Sequence, residues 1–266
     1  MQDFMFSMTP LSLVKVESAI RHRLIRPHYQ PIVELSTGSV CGFEALARWP
    51  DQELGMISPA RFVPMMERLG LIEQLTQSMM MQILNDLPKI HSHFPNAGLS
   101  FNISNESFEG RGLLDFLNGL RPEFGHFFPL ISLEIIESQI LASSEHADQF
   151  LRDFSSFGFK LSIDDFGKDY SSHLRLIEFK FDGLKIDQDF VRHLETSPRA
   201  KVVVKNMIDL GRDLGMTCTA EGIETESQKN VLGELGCHYG QGWLFSKDLP
   251  LDELPSLKTD SSEMVH

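Results

Sequence analysis

Residues 160–187, KLSIDDFGKDYSSHLRLIEFKFDGLKID, contain two strand-like runs with a helix-like segment between them. The runs at 160–166 and 182–187 are short and mostly apolar, whereas the segment at 171–178 has the spacing of an amphipathic helix. Continuous apolar strands that alternate with amphipathic helices indicate parallel pairing, with the helices covering the outside of the sheet. This stretch therefore predicts a strand, helix, strand unit of an α/β fold.

The same alternation continues along the chain of 266 residues. Strands are predicted at 28–35, 39–49, 99–104, 130–136, 160–166, 182–187, 216–222 and 240–245. Helices are predicted at 12–25, 58–70, 71–87, 106–119, 143–157, 171–178, 198–214 and 225–235. About eight such strands, in a chain near the usual length of about 250 residues, fit a TIM-type (β/α)8 barrel.

The predicted barrel occupies residues 1–250 as a single domain, and residues 1–27 form a helical lead-in. Its first two strands are joined by the short turn at 36–38 and so form a hairpin. Residues 251–266 are mostly polar and end in TDSSEMVH, with little to bury. We therefore expect a partly mobile tail.

Composition restricts the classes of function. The formal net charge is -13, from 37 acidic and 24 basic residues, and no run of Lys or Arg could follow a long nucleic acid. No stretch approaches the ~18 apolar residues of a membrane span, and no signal peptide is recognisable, so the cytoplasm is the expected compartment. Cys41, Cys218 and Cys237 are isolated in apolar runs, which is typical of inert core thiols.

Six apolar runs end in a polar side chain. These side chains are Glu44, Asn102, Glu134, the pair Asp164 and Asp165, Lys185, and Glu221. In a barrel the carboxyl ends of the strands meet at one mouth, where the active site lies. Each residue alone could equally be a surface or capping group, but the whole set indicates a common site.

The chemistry of this set favours a hard divalent cation. Carboxylates and one amide, without a His or Cys cluster, are ligands for Mg²⁺ or Mn²⁺ rather than zinc. The adjacent carboxylates of Asp164 and Asp165 could be divided between two ions, as two-metal hydrolysis requires. His238 is interpreted as structural, because one His among oxygen ligands does not make a zinc site.

Two basic residues have a functional and a structural interpretation. Lys185 at a strand end could donate to a water or to a phosphate, or it could form a salt bridge with Asp182 or Asp187. Arg48, four residues after Glu44, is suited to a bidentate phosphate contact, but its spacing also fits a surface ion pair.

The motifs, taken in order, resemble the EAL domain family, the bacterial cyclic di-GMP phosphodiesterases. They are YQPIV at 29–33, EALARW at 44–49, SPARFVP at 58–64, NIS at 102–104, LEIIE at 133–137, IDDFG at 163–167, LKID at 184–187, AEGIE at 220–224 and GQGWLFSK at 240–247. The resemblance implies a TIM-type barrel whose first strand is antiparallel to the rest. It also implies a homodimer.

The implied activity is hydrolysis of cyclic di-GMP to linear pGpG by a water activated between two Mg²⁺ or Mn²⁺ ions. By motif position, one ion would be held by Glu44, Asn102, Glu134 and Asp164, and the other by Asp164, Asp165 and Glu221. Ca²⁺, which accepts larger and looser coordination, is expected to bind but to inhibit.

The resemblance also assigns roles to other residues of the site. Lys185 would contact the attacking water, with Gln241 near it, and Glu137 would steady the loop that follows IDDFG. The residues expected to contact substrate are Gln30, Leu46 and Arg48, with Arg48 near a phosphate.

The loop at 168–170, Lys-Asp-Tyr, departs from the small residue or threonine and the glycine usual in the family. Because of this altered loop, the alternative function of a receptor that binds cyclic di-GMP with weak or no hydrolysis stays open. A protein-interaction module is a third possibility, which retention of Glu44, Arg48 and Glu221 disfavours. Only 28 residues precede YQPIV, so we expect a stand-alone module or a fragment of a longer protein, without a cyclase domain in this chain.

Overall fold

The computed structural model describes residues 11–104, 111–137, 145–168 and 173–257. The α-helices are α1 Leu13–Arg21, α2 Pro59–Arg68, α3 Ile72–His93, α4 Gly112–Phe124, α5 Glu145–Phe157, α6 His173–Glu178, α7 Gln188–Arg192, α8 Pro198–Asp213 and α9 Glu226–Glu234. The strands are β1 Arg26–Glu34, β2 Val40–Asp51, β3 Gly55–Ile57, β4 Gly98–Asn102, β5 Ile131–Ile136, β6 Lys160–Phe166, β7 Gly183–Ile186, β8 Thr217–Ala220, β9 Tyr239–Gly240 and β10 Leu249–Pro250. No helix in these ranges is long and apolar enough to span a lipid bilayer.

Eight strands close into a barrel in the order β1, β2, β4, β5, β6, β7, β8, β9 and back to β1. The strands from β2 to β9 around the ring are parallel, whereas β1 is antiparallel to both of its ring neighbours. β3 and β10 extend the sheet outside the ring. The predicted TIM-type barrel with an antiparallel first strand is confirmed.

The core follows from the continuous apolar character of the strands. All four residues of β7 are buried, as expected for a parallel strand covered on both faces. Outside the barrel, α3 buries one face that includes Met80, Ile83 and Leu87. Burying each such side chain contributes about 1.5–3 kcal/mol, so the helices hold the ring closed from outside.

The last predicted strand, at 240–245, is much shorter than expected. Only Tyr239–Gly240 is a strand, and the chain then turns against Ile223. The amide of Ile223 donates to the carbonyl of Gln241 at 3.0 Å, and the amide of Leu244 donates to the carbonyl of Ile223 at 3.0 Å. A Cβ on Gly242 would lie 2.2 Å from the Ile223 oxygen, so the close approach requires glycine.

Two further boundaries differ from the prediction. The helix expected at 106–119 is α4 and continues to Phe124, while residues 105–110 lie outside the described ranges. The segment expected to be an unpacked tail contains a 3₁₀ helix, Leu251–Ser256, with Leu254 buried. Its apolar residues at 251 and 254 line a crevice with the end of α3, so this part of the chain does have surface to bury.

Candidate active site

Lys185 lies at the centre of the barrel mouth, with its side chain 4% exposed. Its Nζ is surrounded by four carboxylates, at 2.6 Å from Glu221 Oε1, 2.9 Å from Glu134 Oε2, 3.3 Å from Glu44 Oε2 and 3.6 Å from Asp164 Oδ1. The salt bridge with Asp182 or Asp187 that the sequence left open is not the arrangement found. The structure brings together four of the predicted acids around the predicted lysine.

The parallel register brings these side chains to the same end of the barrel. Asn102 in β4 is directly opposite Glu134 in β5, and Lys185 in β7 is opposite Thr219 in β8. Glu221 follows β8 immediately, and its amide donates to the carbonyl of Ile186 at 3.0 Å. Because parallel strands present their carboxyl ends at the same edge, residues far apart in the chain converge there.

A local irregularity in β6 turns Asp164 and Asp165 toward the mouth. Successive residues of a regular strand point to opposite faces, but the pairing of β6 with β7 shifts register between Ile163 and Phe166. Asp165 adopts a left-handed conformation with φ of 56°, which Asp tolerates better than most residues. Oxygens from Asp164, Asp165 and Glu221 all lie within 4.8 Å of one another.

Glu137 secures the chain that leaves this irregularity. Its Oε2 accepts from the amide of Gly167 at 2.8 Å, and its side chain is buried. This contact is consistent with the loop-supporting role expected of Glu137. Residues 169–172, which include the Asp and Tyr of the unusual loop, lie outside the described part of the chain.

Amide side chains hold both oxygens of Glu44. Asn102 Nδ2 donates to Glu44 Oε1 at 2.8 Å, and Gln241 Nε2 donates to Glu44 Oε2 at 2.5 Å. Gln241 Nε2 also lies 2.8 Å from Gln30 Oε1, and Gln30 in turn donates to the carbonyl of Ser246 at 3.2 Å. The carboxylate is therefore fixed in position by Asn102 of β4 and by Gln241, the residue that follows β9.

Burial and an excess of negative charge shift the pKa values in this cluster. Burial raises the pKa of Glu134 well above its usual range, and the charge of Glu44 adds to this while Lys185 opposes it. Burial likewise raises the pKa of Glu221 to about 7 against the opposing charge of Lys185. The pKa of Lys185 is raised, because the surrounding carboxylates outweigh the effect of its burial. For Glu44, burial is outweighed by Lys185 and by the hydrogen bonds from Gln241 and Asn102, and its pKa is lowered.

The donor set fits a hard divalent cation. One ammonium faces four carboxylates, so additional positive charge would offset the burial and the repulsion that together raise the pKa values of Glu134 and Glu221. The available donors are oxygens, as Mg²⁺ and Mn²⁺ prefer. A buried acceptor, Gln241 Oε1, also has no hydrogen-bond partner among the described residues.

Beside the carboxylates, a cavity of about 290 Å³ opens at the mouth. Its lining includes the predicted residues Gln30, Leu46 and Gln241, together with Trp243. Trp243 is 66% exposed, and sequence reasoning assigned it no role, although an exposed aromatic at a barrel mouth is suited to stacking on a planar ligand. The cavity supplies apolar and amide surface next to the charged cluster.

Arg48 does not line this cavity. Its Nε and Nη2 donate to the carboxylate of Asp248 at 2.9 Å and 2.8 Å, and its Nη1 donates to the carbonyl of Ala47 at 3.0 Å. His28 Nδ1 lies 3.0 Å from the same carboxylate. Sequence reasoning missed Asp248, because its 200-residue separation from Arg48 leaves no local signal.

Lys168 makes a second contact that sequence reasoning missed. Its Nζ lies 3.0 Å from Asp165 Oδ1 and 2.8 Å from Oδ2 of Asp187, a carboxylate buried at the end of β7. The unusual lysine of the loop is thus tied to one of the predicted metal ligands. His238 accepts from the amide of Cys218 through Nδ1 at 3.2 Å, which supports its structural interpretation.

An eight-stranded barrel with an antiparallel first strand and an acidic mouth is the architecture of the EAL class, and a family model supports this. The model described as "EAL domain" matches residues 14–248, so the chain belongs to the EAL domain family. A relative in Escherichia coli (strain K12), "Probable cyclic di-GMP phosphodiesterase PdeB", is 34% identical over 239 residues, covering 90% of this chain and 45% of the relative. "Cyclic di-GMP phosphodiesterase RocR" of Pseudomonas aeruginosa is 34% identical over 224 residues, covering 84% of this chain and 57% of RocR. The chain thus spans about half the length of these curated relatives.

Solved structures show the same fold. The structure "PaMucR Phosphodiesterase, c-di-GMP complex" matches with a TM-score of 0.85 and 31% identity, over 91% of this chain and 98% of that one. The FimX EAL domain of Pseudomonas aeruginosa, bound to c-di-GMP, matches with a TM-score of 0.81 at 20% identity, over 94% of this chain and 99% of that one. The second likeness supports the fold alone.

Proposed function

We propose that this protein is a metal-dependent phosphodiesterase that hydrolyses cyclic di-GMP to linear pGpG. The observation that carries the proposal is the placement of Lys185 among Glu44, Glu134, Asp164 and Glu221, at the edge of a cavity in the barrel mouth. Relatives named as cyclic di-GMP phosphodiesterases support the substrate.

Two Mg²⁺ or Mn²⁺ ions fit the proposed chemistry. One would be held by Glu44, Asn102, Glu134 and Asp164, and the other by Asp164, Asp165 and Glu221, the group whose oxygens lie within 4.8 Å. When bound, such ions lower the pKa of water and stabilise the negative charge that develops on a phosphoryl group.

The protein side chains would orient the reactants. Lys185 presents its ammonium where a nucleophilic water and a non-bridging phosphate oxygen would meet, and its charge stabilises the transition state. Gln241 keeps Glu44 oriented by its hydrogen bond and leaves its own Oε1 free to accept from a water. Gln30, Leu46 and Trp243 form the walls against which a guanine and its ribose would lie.

A receptor that binds cyclic di-GMP without turnover is the second candidate. It is favoured by one contact: Lys168 of the unusual loop is paired with Asp165, a carboxylate that the phosphodiesterase reaction would require for metal binding. A homodimer and a cytoplasmic location stay predictions, which sedimentation of the purified protein and cell fractionation would test.

Product formation distinguishes the two candidates. With Mg²⁺ or Mn²⁺ the protein is expected to convert cyclic di-GMP to pGpG, and chromatography measures the product. Ca²⁺ is expected to support little turnover because of its looser coordination. Glu44→Ala or Glu221→Ala is expected to lower kcat by about 10³-fold or more, because each removes a carboxylate from the cluster. Tight binding with no product over hours in Mn²⁺ would assign the protein to the receptor class instead.

A further inference from the structure

The contact between Arg48 and Asp248 has a consequence for substrate affinity, and the inference drawn from it rests on the proposed function. Arg48 is the residue expected to contact a phosphate, and it lies on the same strand, β2, as Glu44 and Leu46. Glu44 and Leu46 line the cavity at the mouth, whereas Arg48, two residues further on, does not. Its guanidinium is held instead by a carboxylate of the chain itself.

The geometry of this pair is that of an occupied anion site. Nε and Nη2 of Arg48 form the parallel, two-pronged contact that arginine also uses for phosphate. Nη1 is used by the carbonyl of Ala47. A substrate phosphate that used this same edge of the guanidinium would have to compete with Asp248 for it.

Both partners are mostly shielded from water. The side chains of Arg48 and Asp248 are 20% and 23% exposed. Burial raises the pKa of Asp248, but the hydrogen bond and charge of Arg48 outweigh it and, with His28, lower the pKa overall. Asp248 is therefore ionised near neutral pH and neutralises the cation expected to attract the substrate.

The other charges around the cavity are mostly negative, so neutralising Arg48 weakens the binding of an anionic ligand. The neighbouring wall carries Glu44, Glu221 and Glu224, and Lys185 is already surrounded by carboxylates. Arg48, on the strand that carries Glu44 and Leu46, is the cation at this side of the mouth expected to meet a phosphate that approaches from solvent. The carboxylate of Asp248 offsets the single positive charge of Arg48 and so weakens its attraction for a phosphate.

We propose that Asp248 is an internal competitor of the substrate phosphate for Arg48 and thereby sets a weaker affinity for cyclic di-GMP than the site would otherwise have. Asp248 acts through Arg48 and not on the reacting atoms. The expected signature is a gain in affinity when its charge is removed, and this gain requires Arg48.

The experiment measures cyclic di-GMP binding by calorimetry to the full chain loaded with Ca²⁺, with chromatography to confirm that the ligand stays intact. Asp248→Asn is expected to lower Kd by about fivefold, the effect of losing one partly screened charge pair. Asp209→Asn is the matched control, because it makes the same change of charge at an ion pair whose partners, Lys205 and Arg212, lie on the same helix α8, and its Kd should equal that of the wild type. Asp248→Ala is measured alongside, so that a folding defect specific to Asn does not decide the outcome.

A double-mutant cycle tests whether the effect of Asp248→Asn on Kd depends on Arg48, which a purely structural role of Asp248 would not require. In the Arg48→Ala background, Asp248→Asn should leave Kd unchanged, because there is no guanidinium group for Asp248 to bind. An unchanged or higher Kd for both Asp248 variants, or an equal gain without Arg48, would overturn the inference, as would a failure of every variant to bind. Binding without hydrolysis in Mn²⁺ would overturn the proposed function and leave this competition standing.

Discussion

At the scale of single residues, Lys185 is the side chain on which the mouth of the barrel depends. Its ammonium is buried and contacts four carboxylates that would otherwise repel one another. Removing one partner of a buried ionic cluster leaves uncompensated charge in a medium of low dielectric constant. The same residue therefore bears on both stability and turnover.

Lys185→Met tests this dependence. In metal-free protein the substitution is expected to lower the free energy of unfolding by about 3–5 kcal/mol, measured by urea denaturation at neutral pH. Lys205→Met is the control, since Lys205 is 41% exposed on α8 and pairs with Asp209, and its loss should cost no more than about 1 kcal/mol. Equal effects of the two substitutions would contradict the central role of Lys185.

At the scale of elements, the turn after β8 fixes the position of Glu221. Gly222 has φ of 65°, a left-handed conformation that costs other residues energy. A Cβ at this position would lie 2.4 Å from the Cβ of Gln188 at the start of α7. The turn therefore tolerates no side chain, and Glu221 is held between β8 and α7.

Gly222→Ala should displace this turn. We expect a loss of about 3 kcal/mol from backbone strain and overpacking together, and a fall in kcat because Glu221 moves with the turn. Gly215→Ala separates the two causes: its φ is 73°, but a Cβ there would meet nothing within 4 Å, so only about 1 kcal/mol of strain is expected. Thermal unfolding and product formation are measured for both. If both substitutions had the same effect, contact with Gln188 would not matter.

The elements themselves could largely be predicted from the sequence, because apolar strands and amphipathic helices have different periods. The acids at the strand ends could be located in the same way, since parallel strands share an edge. The length of the strand predicted at 240–245 could not be predicted correctly, because the contact of Gly242 with Ile223 that ends the strand is a tertiary contact. The pairings of Arg48 with Asp248 and of Lys168 with Asp187 were invisible for the same reason.

At the scale of the whole molecule, the acidic mouth makes stability depend on pH and on cations. The folded protein raises the pKa of Glu221 from 4.5 to about 7. Between these values the folded state retains a proton that the unfolded chain has released, so stability falls as pH rises. Glu134, whose pKa is also raised, acts in the same direction.

Metal-free protein is therefore expected to lose stability between about pH 4.5 and 7, by up to about 3 kcal/mol from Glu221, because each pKa unit corresponds to about 1.4 kcal/mol. Denaturant unfolding across this range measures the loss, and saturating Mn²⁺ should reduce it. Glu221→Gln should flatten the profile, whereas Glu226→Gln, an exposed residue of α9, should leave it as in the wild type. An unchanged profile for Glu221→Gln would refute the assignment to that carboxyl group.

The seam between β1 and β9 also has a consequence for the order of folding. Val33 pairs with Gly240 across this seam, and the hydrogen bond from Gln241 to Gln30 and the ion pair of Arg48 with Asp248 span 211 and 200 residues of chain. Contacts of such long range form late, because the loop between them must be closed first. During synthesis almost the whole barrel must leave the ribosome before these partners can meet, so the ring and the binding mouth are expected to close only near the end of synthesis.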